Sequence, residues 1–452
     1  MKVENDLNTD QIRKLVWSLA IPSMLAQFVN VLYSIVDRMY IGNIPEIGEA
    51  ALAGAGVCGP IVTLISSFAS WVGVGGAPLM SIRMGQGKPV AARRILANCF
   101  VMLCAMSCVM MAVFFLLKDR LLVLFGASPA IFPYADEYLS WYLTGTVFAL
   151  LSTGMSQFII CQGFAKTAMA GVMIGAVSNI ILDPVFIFVL GMGVKGAAIA
   201  TVLSQMASCA FVLHFLRGSR PPIHITFGGY SRRVIRQVLT VGLSPFLIIA
   251  SDSVLIILMN ALIQKYGGQA RGDMLLTCNT IVQSFMLMIT MPLGGITGGT
   301  QTILGYNYGA GRPDRIRRAE KNIALFGVVF TTIMFLAARF LPHVFAGIFT
   351  RDPEYTSVTV WAIRIYTLCV IPLAIQYTVV DGFTGMGIAK VAVSLSMFRK
   401  TVYLAAMLIF PALWGAEAIF YSEPFSDGIA ALTSFSVYLT ISGKILGDGK
   451  RL

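Results

Sequence analysis

Long stretches of this sequence contain no charged residue, and this limits the folds open to the chain more than any other feature. The whole chain is 57% hydrophobic and only 12% charged, about half the charge of a typical soluble domain. Each uncharged stretch can cross a hydrocarbon core of about 30 Å as a helix. We therefore predict an all-α integral membrane protein. The stretches without Asp, Glu, Lys or Arg are 17–36, 51–82, 95–117, 138–165 and 274–311.

The hydropathy pattern predicts twelve membrane-spanning helices. The first sixteen residues are polar, and the apolar run after them is too long for the core of a cleavable signal, so we expect the first span to be retained. An even number of spans places both termini on one side of the membrane. The spans are expected near 17–42, 51–82, 95–117, 136–163, 168–191, 196–216, 237–264, 274–306, 322–345, 357–384, 391–415 and 427–446.

The basic residues indicate which side that is. The net charge is +12, and 22 of the 33 Lys and Arg residues fall in segments on the terminus side. By the positive-inside rule, both termini are expected to be cytoplasmic, in a protein of the plasma membrane. Topology thus explains the positive charge, and no nucleic-acid partner is expected. The 22 residues are Lys2, Arg13, Lys14, Lys166, Lys390, Lys444, Lys450, Arg451 and those in segments 83–94, 217–236 and 312–321.

The cysteines and histidines show no pattern of a metal or catalytic centre. The eight cysteines lie inside apolar spans, and the closest pair, Cys104 and Cys108, has no companion ligand. The three histidines are scattered along the chain. An intramembrane enzyme would need a nucleophile, a base or a metal that converge on one site. We therefore expect neither a disulfide nor a structural metal, and a protein that is not an enzyme.

A loop sequence recurs in the second half of the chain. GQGKP at 85–89 returns as GAGRP at 309–313, and in both copies a pair of arginines begins four residues later, so that every matched pair differs by 224. Pro22 pairs with Pro245 at an offset of 223. A third match, at an offset of 219, pairs Gln157, Gly163 and Phe164 with Gln376, Gly382 and Phe383.

An offset close to half the chain length indicates a duplicated six-helix unit. Because six is even, the two copies have the same orientation and are related by a pseudo-two-fold axis along the membrane normal. We expect an N-lobe at 1–222 and a C-lobe at 223–452, joined at the connector 217–236, with a cavity between them. A duplicated channel or scaffold would share this architecture, so the repeat by itself does not establish transport.

Four aspartates fall inside predicted spans: Asp37, Asp183, Asp252 and Asp381. A carboxylate near the middle of the bilayer costs about 2.5–3.5 kcal/mol on insertion scales, which makes all four candidates for function. Two have a simpler alternative. Asp37 could form an interfacial ion pair with its neighbour Arg38, and Asp381 could be merely interfacial because it lies near the cytoplasmic end of its span.

Asp183 is the hardest of these aspartates to explain as structural. Residues 167–182 and 184–194 are uncharged, which places it well within the fifth span. Asn179 lies one helical turn earlier on the same face, and Pro184 frees a backbone carbonyl. A desolvated carboxylate among neutral oxygen ligands can hold either H⁺ or a hard cation such as Na⁺. The sequence therefore predicts an exchangeable ion site here.

The remaining candidates are less sharply defined. Asp252 interrupts an uncharged span and is expected to face the cavity, while Arg399 is expected to pair with a buried acid. Asn260 occupies the position that Asp37 reaches by a shift of 223, and nothing in the second half reproduces the Asn179–Asp183 pair. Ion coupling is therefore expected mainly in the first copy. The candidates for the substrate cavity or for coupling are Gln157, Asp252, Asn260, Asp381 and Arg399.

These motifs together resemble the multidrug and toxic compound extrusion (MATE) transporters. The likeness covers essentially the whole chain, from the first helix between Pro22 and Asp37 through the GQGKP and GAGRP loops. Its most specific part is the stretch NIILDPVFIFVLGMGVKGAAIATVLSQ at 179–205. The segment YSEP at 421–424 further looks like the branch found in low-GC Gram-positive bacteria.

The resemblance implies a V-shaped pair of lobes that alternates between outward and inward openings. It implies export of lipophilic or cationic organic compounds by a monomer in the lipid bilayer, in exchange for H⁺ or Na⁺ and with no other cofactor. Pro22 is implied as a hinge, and Pro184 is a second hinge candidate. The implied N-lobe ion ligands are Asp37, Asn179, Asp183 and Thr201.

Two alternatives stay open at this point. Another branch of the family places ion ligands in the C-lobe, as a Glu on the seventh helix and an Asp on the tenth, but Asp252 is shorter and Asp381 does not align cleanly. The second alternative is a flippase for lipid-linked or polysaccharide precursors, which shares the wider architecture. A flippase of this kind is expected to have a strongly basic cavity for pyrophosphate.

Overall fold

The computed structural model describes residues 5–125, 127–350 and 352–447, and within these ranges the regular structure is entirely helical. Lys2, Lys450 and Arg451, which entered the charge argument, lie outside the described residues. The α-helices are α1 (Ile12–Gly42), α2 (Gly48–Gly85), α3 (Pro89–Leu124), α4 (Phe132–Thr144), α5 (Thr146–Ile160), α6 (Ala165–Pro184), α7 (Gly193–Arg217), α8 (Arg232–Gly309), α9 (Pro313–Phe340), α10 (Pro342–Phe349), α11 (Pro353–Tyr366), α12 (Val370–Gly385), α13 (Ala389–Trp414) and α14 (Ser422–Gly447).

The helices supply the twelve spans that the sequence predicts. Helix α8 is broken at Gly268, where φ is 68°, into spans Arg232–Gly268 and Met274–Gly309. Among the described residues, nine helices or helix halves are long and apolar enough to cross a membrane, and two bent pairs raise the number to eleven. Helix α14, with 26 residues, is long enough to be the twelfth and corresponds to the predicted span 427–446.

Two of the predicted spans are bent rather than straight. The span predicted at 136–163 consists of α4 and α5, which meet at an angle of 57°, and the one predicted at 357–384 consists of α11 and α12, which meet at 47°. The first bend lies at Gly145, whose Cα packs against the side chain of Val202. The length of a span can be read from its apolar run in the sequence. Such a bend cannot, because it depends on a neighbouring helix.

The repeated loops GQGKP and GAGRP adopt the same turn. Gly87 and Gly311 have φ values of 69° and 68°, a left-handed conformation that glycine adopts without strain. In both loops the amide of the following residue donates a 2.9 Å hydrogen bond back to a carbonyl five residues earlier, which caps the preceding helix. A proline then begins the next helix. The duplication is therefore visible in the backbone geometry.

The same geometry corrects the third sequence match. The glycine that ends its helix in a left-handed conformation is Gly163 (φ 90°) in the first copy and Gly387 (φ 76°) in the second, and new helices begin at Ala165 and Ala389. All of these pairs differ by 224. The match at an offset of 219 is therefore wrong, because it aligned two Gly-Phe dipeptides at different points along the helix.

Each half of the chain has its own hydrophobic core. One cluster of buried residues runs from Ile41 to Val238, and a second runs from Leu255 to Phe420. A third cluster joins the halves on the terminus side, where Leu15 and Leu19 of α1 meet Ile303 and Leu304 of α8. The boundary between residues 222 and 223 stays a prediction.

The two halves meet through glycines that the pseudo-two-fold axis exchanges. A Cβ on Gly85 would lie 2.0 Å from the carbonyl oxygen of Tyr306, and a Cβ on Gly309 would lie 2.1 Å from that of Ile82. Because 309 and 306 are 85 and 82 shifted by 224, the two contacts are the same contact made twice. Such self-complementary pairing is the mark of a two-fold interface.

The connector between the halves is fastened to the first half. Its chain runs between the end of α7 and the start of α8. Ile223 donates its amide to the side chain of Gln162 at 2.8 Å, and Ser231 donates its amide to Asn98 at 3.0 Å. The Phe227 ring packs edge-on against Phe100. The connector is thus an ordered strap along the first lobe.

The chain before α1 bridges the two halves on the terminus side. Asn5 donates to the carbonyl of Gly163 at 2.8 Å, which ties the segment to the first half. From the second half, the guanidinium of Arg315 in α9 donates to the carbonyls of Leu7 and Asp10 at 3.2 and 3.0 Å. The N-terminal segment is therefore held by both lobes at once.

We expect Arg315→Ala to release this segment. The change removes three hydrogen bonds that one guanidinium donates, including one to Asn307. Each hydrogen bond of a charged group contributes about 1.5–3 kcal/mol to stability. The measurements are the melting temperature in detergent and the rate of proteolysis ahead of α1. Arg318→Ala is the control, because no side-chain bond of Arg318 is recorded among the described residues. Equal protease sensitivity in both variants would contradict the bridging role.

Candidate ion and substrate site

Three helices of the first half bring together the four residues implied as ion ligands. Asp37 lies five residues before the end of α1, Asn179 and Asp183 lie one turn apart on α6, and Thr201 lies in the third turn of α7. Asn179, Asp183 and Thr201 are buried, with exposures of 2%, 0% and 9%. The cluster lies in the half of the bundle away from the termini.

The site is an arrangement of oxygen ligands around two carboxyl groups. Asn179 Nδ2 donates to Asp183 Oδ1 at 3.1 Å and to Thr201 Oγ1 at 3.4 Å. The carboxyl groups of Asp37 and Asp183 lie close enough together to interact electrostatically. Two carboxylates at this distance repel each other unless a proton or a cation lies between them. The geometry therefore suits a site that binds a proton or a cation and is less stable without one.

Several oxygens at the site lack a hydrogen-bond donor. Within the described chain, Asp37 Oδ1, Asn179 Oδ1 and Asp183 Oδ2 are buried and have no partner. A buried acceptor left unpaired costs about 1–3 kcal/mol, and more when it is charged. Carboxylate, carboxamide and hydroxyl oxygens are ligands that a hard cation prefers. These oxygen ligands can therefore hold Na⁺ as well as H⁺.

Arg38 is close enough to Asp37 to act on its charge, but the two do not form the ion pair offered as the simpler alternative. Arg38 is exposed, and no salt bridge joins it to Asp37 in the ranges that the structure covers. Instead Asp37 lies one turn after Tyr33 and faces the interior beside Asp183. Its surroundings are those of the site rather than of the membrane surface.

Pro184 marks a change of helix type beside the site. Helix α6 ends there, and Val185–Val189 form a π-helix, a wider turn that is frequent at functional sites. Because proline has no N–H, the carbonyl of Ile180 loses its helical donor, as the sequence predicts. The chain then turns back into α7, which carries Thr201 towards the cluster. The hinge role of Pro184 stays a prediction.

The structure adds residues to the site that sequence reasoning missed. Tyr142 on α4 has its hydroxyl within hydrogen-bonding range of Gln205 and Ser66. Gln205 lies one turn after Thr201, and its Oε1 is buried without a partner among the described residues. The signal that could have found Gln205 is its i, i+4 spacing from Thr201. No such signal exists for Tyr142, because it comes from another helix.

The second half has aromatic and apolar groups where the first has its ion site. A shift of 224 carries Asn179 to Tyr403 and Tyr142 to Tyr366. The two tyrosine hydroxyls are 3.2 Å apart, and Gln283 Nε2 donates to Tyr366 at 2.8 Å. Asp183 is carried to Met407. The lobes share a framework, but only the first has a carboxylate at this place.

The other predicted residues lie outside this cluster. Asp381 accepts hydrogen bonds from Thr297 at 2.5 Å and Gln301 at 3.0 Å, so it is held within the C-lobe. Asn260 accepts from Asn279 at 3.4 Å. Asp252 of α8 forms a salt bridge with Lys400 of α13, and Gln157 packs against Gly73. Pro22 is buried inside the continuous helix α1.

Arg399 has the buried acidic partner that the sequence predicts, and a second acid beside it. Its Nε donates to Asp427 Oδ1 at 2.7 Å, and one terminal nitrogen donates to Glu423 Oε1 at 2.6 Å. The predicted span 427–446 puts Asp427 at its first residue and Glu423 in the loop before it. The helix begins five residues earlier, at Ser422, so both carboxylates lie inside the bundle.

Comparison with known proteins identifies the fold and the family. The sequence model of the MatE family matches residues 22–185 and 249–409. Curated relatives include the multidrug export protein MepA of Staphylococcus haemolyticus and that of Staphylococcus aureus, each 20% identical to this chain over 97% of its length and over 95–96% of their own.

Solved structures share the whole fold. One is described as the outward-facing conformation of a multidrug resistance MATE family transporter of the MOP superfamily, and another is a MOP superfamily transporter from Pyrococcus furiosus whose binding pocket has reverse polarity. Each aligns with a TM-score of 0.90 at 22% identity over 97% of this chain and 98% of its own. The predicted fold class, twelve helices in two lobes, is thereby confirmed.

Proposed function

The chain belongs to the MatE family of membrane transporters, and we propose that it exports lipophilic, often cationic, organic compounds in exchange for H⁺ or Na⁺. Membership of this family also confirms that it is not an enzyme. The observation that carries the proposal is the pairing of Asp37 with Asp183 in a buried, under-satisfied oxygen cluster. A scaffold or a passive channel has no use for two unneutralised carboxylates at this depth.

Coupling follows from the charge of this cluster. When the cluster opens to the side with high ion concentration, a proton or Na⁺ neutralises the carboxyl pair and satisfies the free oxygens. When the lobes reopen on the other side, the ion leaves and the repulsion between Asp37 and Asp183 returns. A ligand shifts such an equilibrium only by its different affinity for the two states. Repulsion between the carboxylates supplies that difference.

Aromatic side chains of the two lobes meet between α2 and α8, and they are of the kind that binds a lipophilic cation. Trp71 of the first half stacks on Phe246 of the second with ring centroids 4.2 Å apart, and Phe68 lies 5.1 Å from the same Phe246 ring. Aromatic faces attract organic cations without fixing one ligand shape. These contacts support a broad substrate class rather than one metabolite.

We also propose that both termini are cytoplasmic and that the protein acts as a monomer. The positive-inside rule supports the orientation, and an ion site made entirely by one chain supports the monomer. Close backbone contacts between the lobes lie on the terminus side, at Gly85 and Gly309. With cytoplasmic termini, this arrangement is closed to the cytoplasm.

The flippase alternative is weakened by how the buried cations are neutralised. A cavity for a pyrophosphate needs free positive charge. Arg399 is bound to Asp427 and Glu423, and Lys400 is bound to Asp252. Within the described C-lobe these two cations are therefore committed to internal acids, and they leave little to attract a polyanion.

The test is ethidium efflux from proteoliposomes with an imposed gradient. We expect efflux to accelerate when either a proton or a sodium gradient is directed inward against the substrate, and to fall to the rate of protein-free liposomes when both gradients are collapsed. Applying each gradient separately identifies the coupling ion. Efflux that ignores both gradients would rule out antiport. Movement of a lipid-linked oligosaccharide without ethidium efflux would favour the flippase.

A further inference from the structure

An open groove of about 550 Å³ lies at the terminus-side end of α1, far from the ion site. It is bounded by the first turns of α1 and by the start of α6. Its walls have two chemical characters, because one end is basic and the floor is largely apolar. The basic residues are Arg13, Lys14 and Lys166, and the floor is formed by Trp17, Ile21 and Pro22.

At the basic end, two of the three cations have no acidic partner in the described part of the chain. Among the residues that the structure describes, neither Arg13 nor Lys166 has a salt bridge or a side-chain hydrogen bond. Lys14 is 3.7 Å from Asp10, and its side chain is 67% exposed. Three cations around one groove repel each other, and a bound anion would relieve that repulsion. A phosphate is the anion that such clusters of Lys and Arg bind on the cytoplasmic side of membrane helices.

The apolar floor distinguishes a lipid from a free anion. Trp17 is 44% exposed although it lies against Phe326 of α9, with ring centroids 4.7 Å apart. Tryptophan at a helix end is typical of the membrane–water interface. The floor continues from Trp17 towards the middle of the membrane along Ile21. An inorganic phosphate would leave this surface unused, whereas an acyl chain would cover it.

The molecule repeats these features at the related helix start. A second groove, of about 410 Å³, contains Arg232, Arg236 and Trp71. Arg236 is the position of Arg13 shifted by 223, the same offset that relates Pro22 to Pro245. Cations beside an exposed apolar wall therefore occur at the terminus-side end of the first helix in each lobe.

We propose that the groove formed by Arg13, Lys14, Lys166, Trp17 and Ile21 binds an anionic phospholipid of the terminus-side leaflet. The phosphate is held by Arg13 and Lys166, and an acyl chain lies along Trp17 and Ile21. That this leaflet is the cytoplasmic one rests on the proposed function; the rest of the proposal does not depend on it. Because Trp17 contacts α9 of the other lobe, the lipid lies at the seam between the lobes and stabilises the arrangement in which they are joined.

The test is native mass spectrometry of the purified full chain titrated with phosphatidylglycerol or with phosphatidylcholine. We expect the wild type to bind phosphatidylglycerol in preference, with one molecule at each groove. The double variant Arg13→Gln/Lys166→Gln is expected to lose one of these molecules, with its affinity reduced about tenfold or more, since two charged contacts of at least about 1 kcal/mol each are removed. The melting temperature in phosphatidylglycerol nanodiscs should fall with it.

The matched control is Arg93→Gln/Lys321→Gln. It removes the same charges from exposed positions on the same side, and neither residue lines either groove. It should keep wild-type binding. The charge-preserving variant Arg13→Lys/Lys166→Arg should bind as well, which separates loss of charge from misfolding.

Three outcomes would overturn the lipid site: unchanged phosphatidylglycerol binding in Arg13→Gln/Lys166→Gln, equal binding of phosphatidylcholine by the wild type, or displacement of the lipid by inorganic phosphate at equal concentration. Because lipid binding is counted without transport, failure of this proposal leaves the efflux result untouched. Failure of gradient-driven efflux likewise leaves the lipid count untouched.

Discussion

Asp183→Asn is expected to abolish gradient-driven efflux while the protein still folds and inserts. The amide keeps the shape of the side chain and can still bond to Asn179, but it cannot take up or release a proton and is a weaker ligand for Na⁺. The repulsion with Asp37 on which coupling depends is also lost. Ethidium efflux under an imposed gradient should therefore fall to the rate of protein-free liposomes.

Glu320→Gln is the matched control for this variant. Glu320 is also a buried carboxyl group, but it lies in α9 and accepts a 2.5 Å hydrogen bond from Tyr438 of the C-lobe. It should retain gradient-driven efflux. Substrate binding by Asp183→Asn, measured by the fluorescence of bound ethidium, should persist and so separate coupling from collapse of the cavity. Efflux by Asp183→Asn at the wild-type rate would contradict the role of Asp183 in ion coupling.

The largest loss of stability is expected for Arg399→Met. The change leaves Asp427, whose side chain is fully buried, and Glu423, whose side chain is 12% exposed, without their shared cation. Breaking a buried ion pair by removing one partner costs about 3–5 kcal/mol, because the remaining charge has no compensation. The melting temperature in detergent should fall well below that of the wild type.

Neutralising the orphaned acids should reverse most of this loss. The triple variant Arg399→Met/Glu423→Gln/Asp427→Asn removes all three charges, and replacement of a whole buried cluster is often close to neutral. Arg271→Met is the control, since Arg271 also bridges two acids, Glu354 and Glu417, but at the surface. Exposed pairs contribute about 0–1 kcal/mol. A melting temperature of Arg399→Met equal to that of Arg271→Met would contradict the buried-cluster account.

The fold could be predicted because it depends on features that lie along the chain. A helix that spans a bilayer must satisfy its backbone internally and needs about 20 apolar residues, and both conditions can be read in an uncharged run. The duplication could be read for the same reason, since GQGKP and GAGRP encode one local turn. The Asn179–Asp183 pair was also found locally, as one turn of one helix.

The parts that were missed depend on contacts between distant segments. The predicted span 427–446 puts Asp427 at a helix end, and nothing nearby in the sequence shows that Arg399 of another helix lies against it. The sequence also gives no sign of the salt bridge between Asp252 and Lys400, because the two residues lie 148 positions apart. Tyr142 reaches the site from α4 and follows no local spacing.

The glycine contact between the lobes has a mechanical consequence. At Gly85 and Gly309 the touching surfaces are backbone atoms on both sides, so no side chains interlock across this part of the seam. Parting the helices there requires no side chain to change its rotamer. Since the two contacts are exchanged by the two-fold axis, loosening one by tilting a lobe loosens the other equally. This part of the interface therefore offers little resistance to separation of the lobes. The resistance to opening comes from the side chains that surround it.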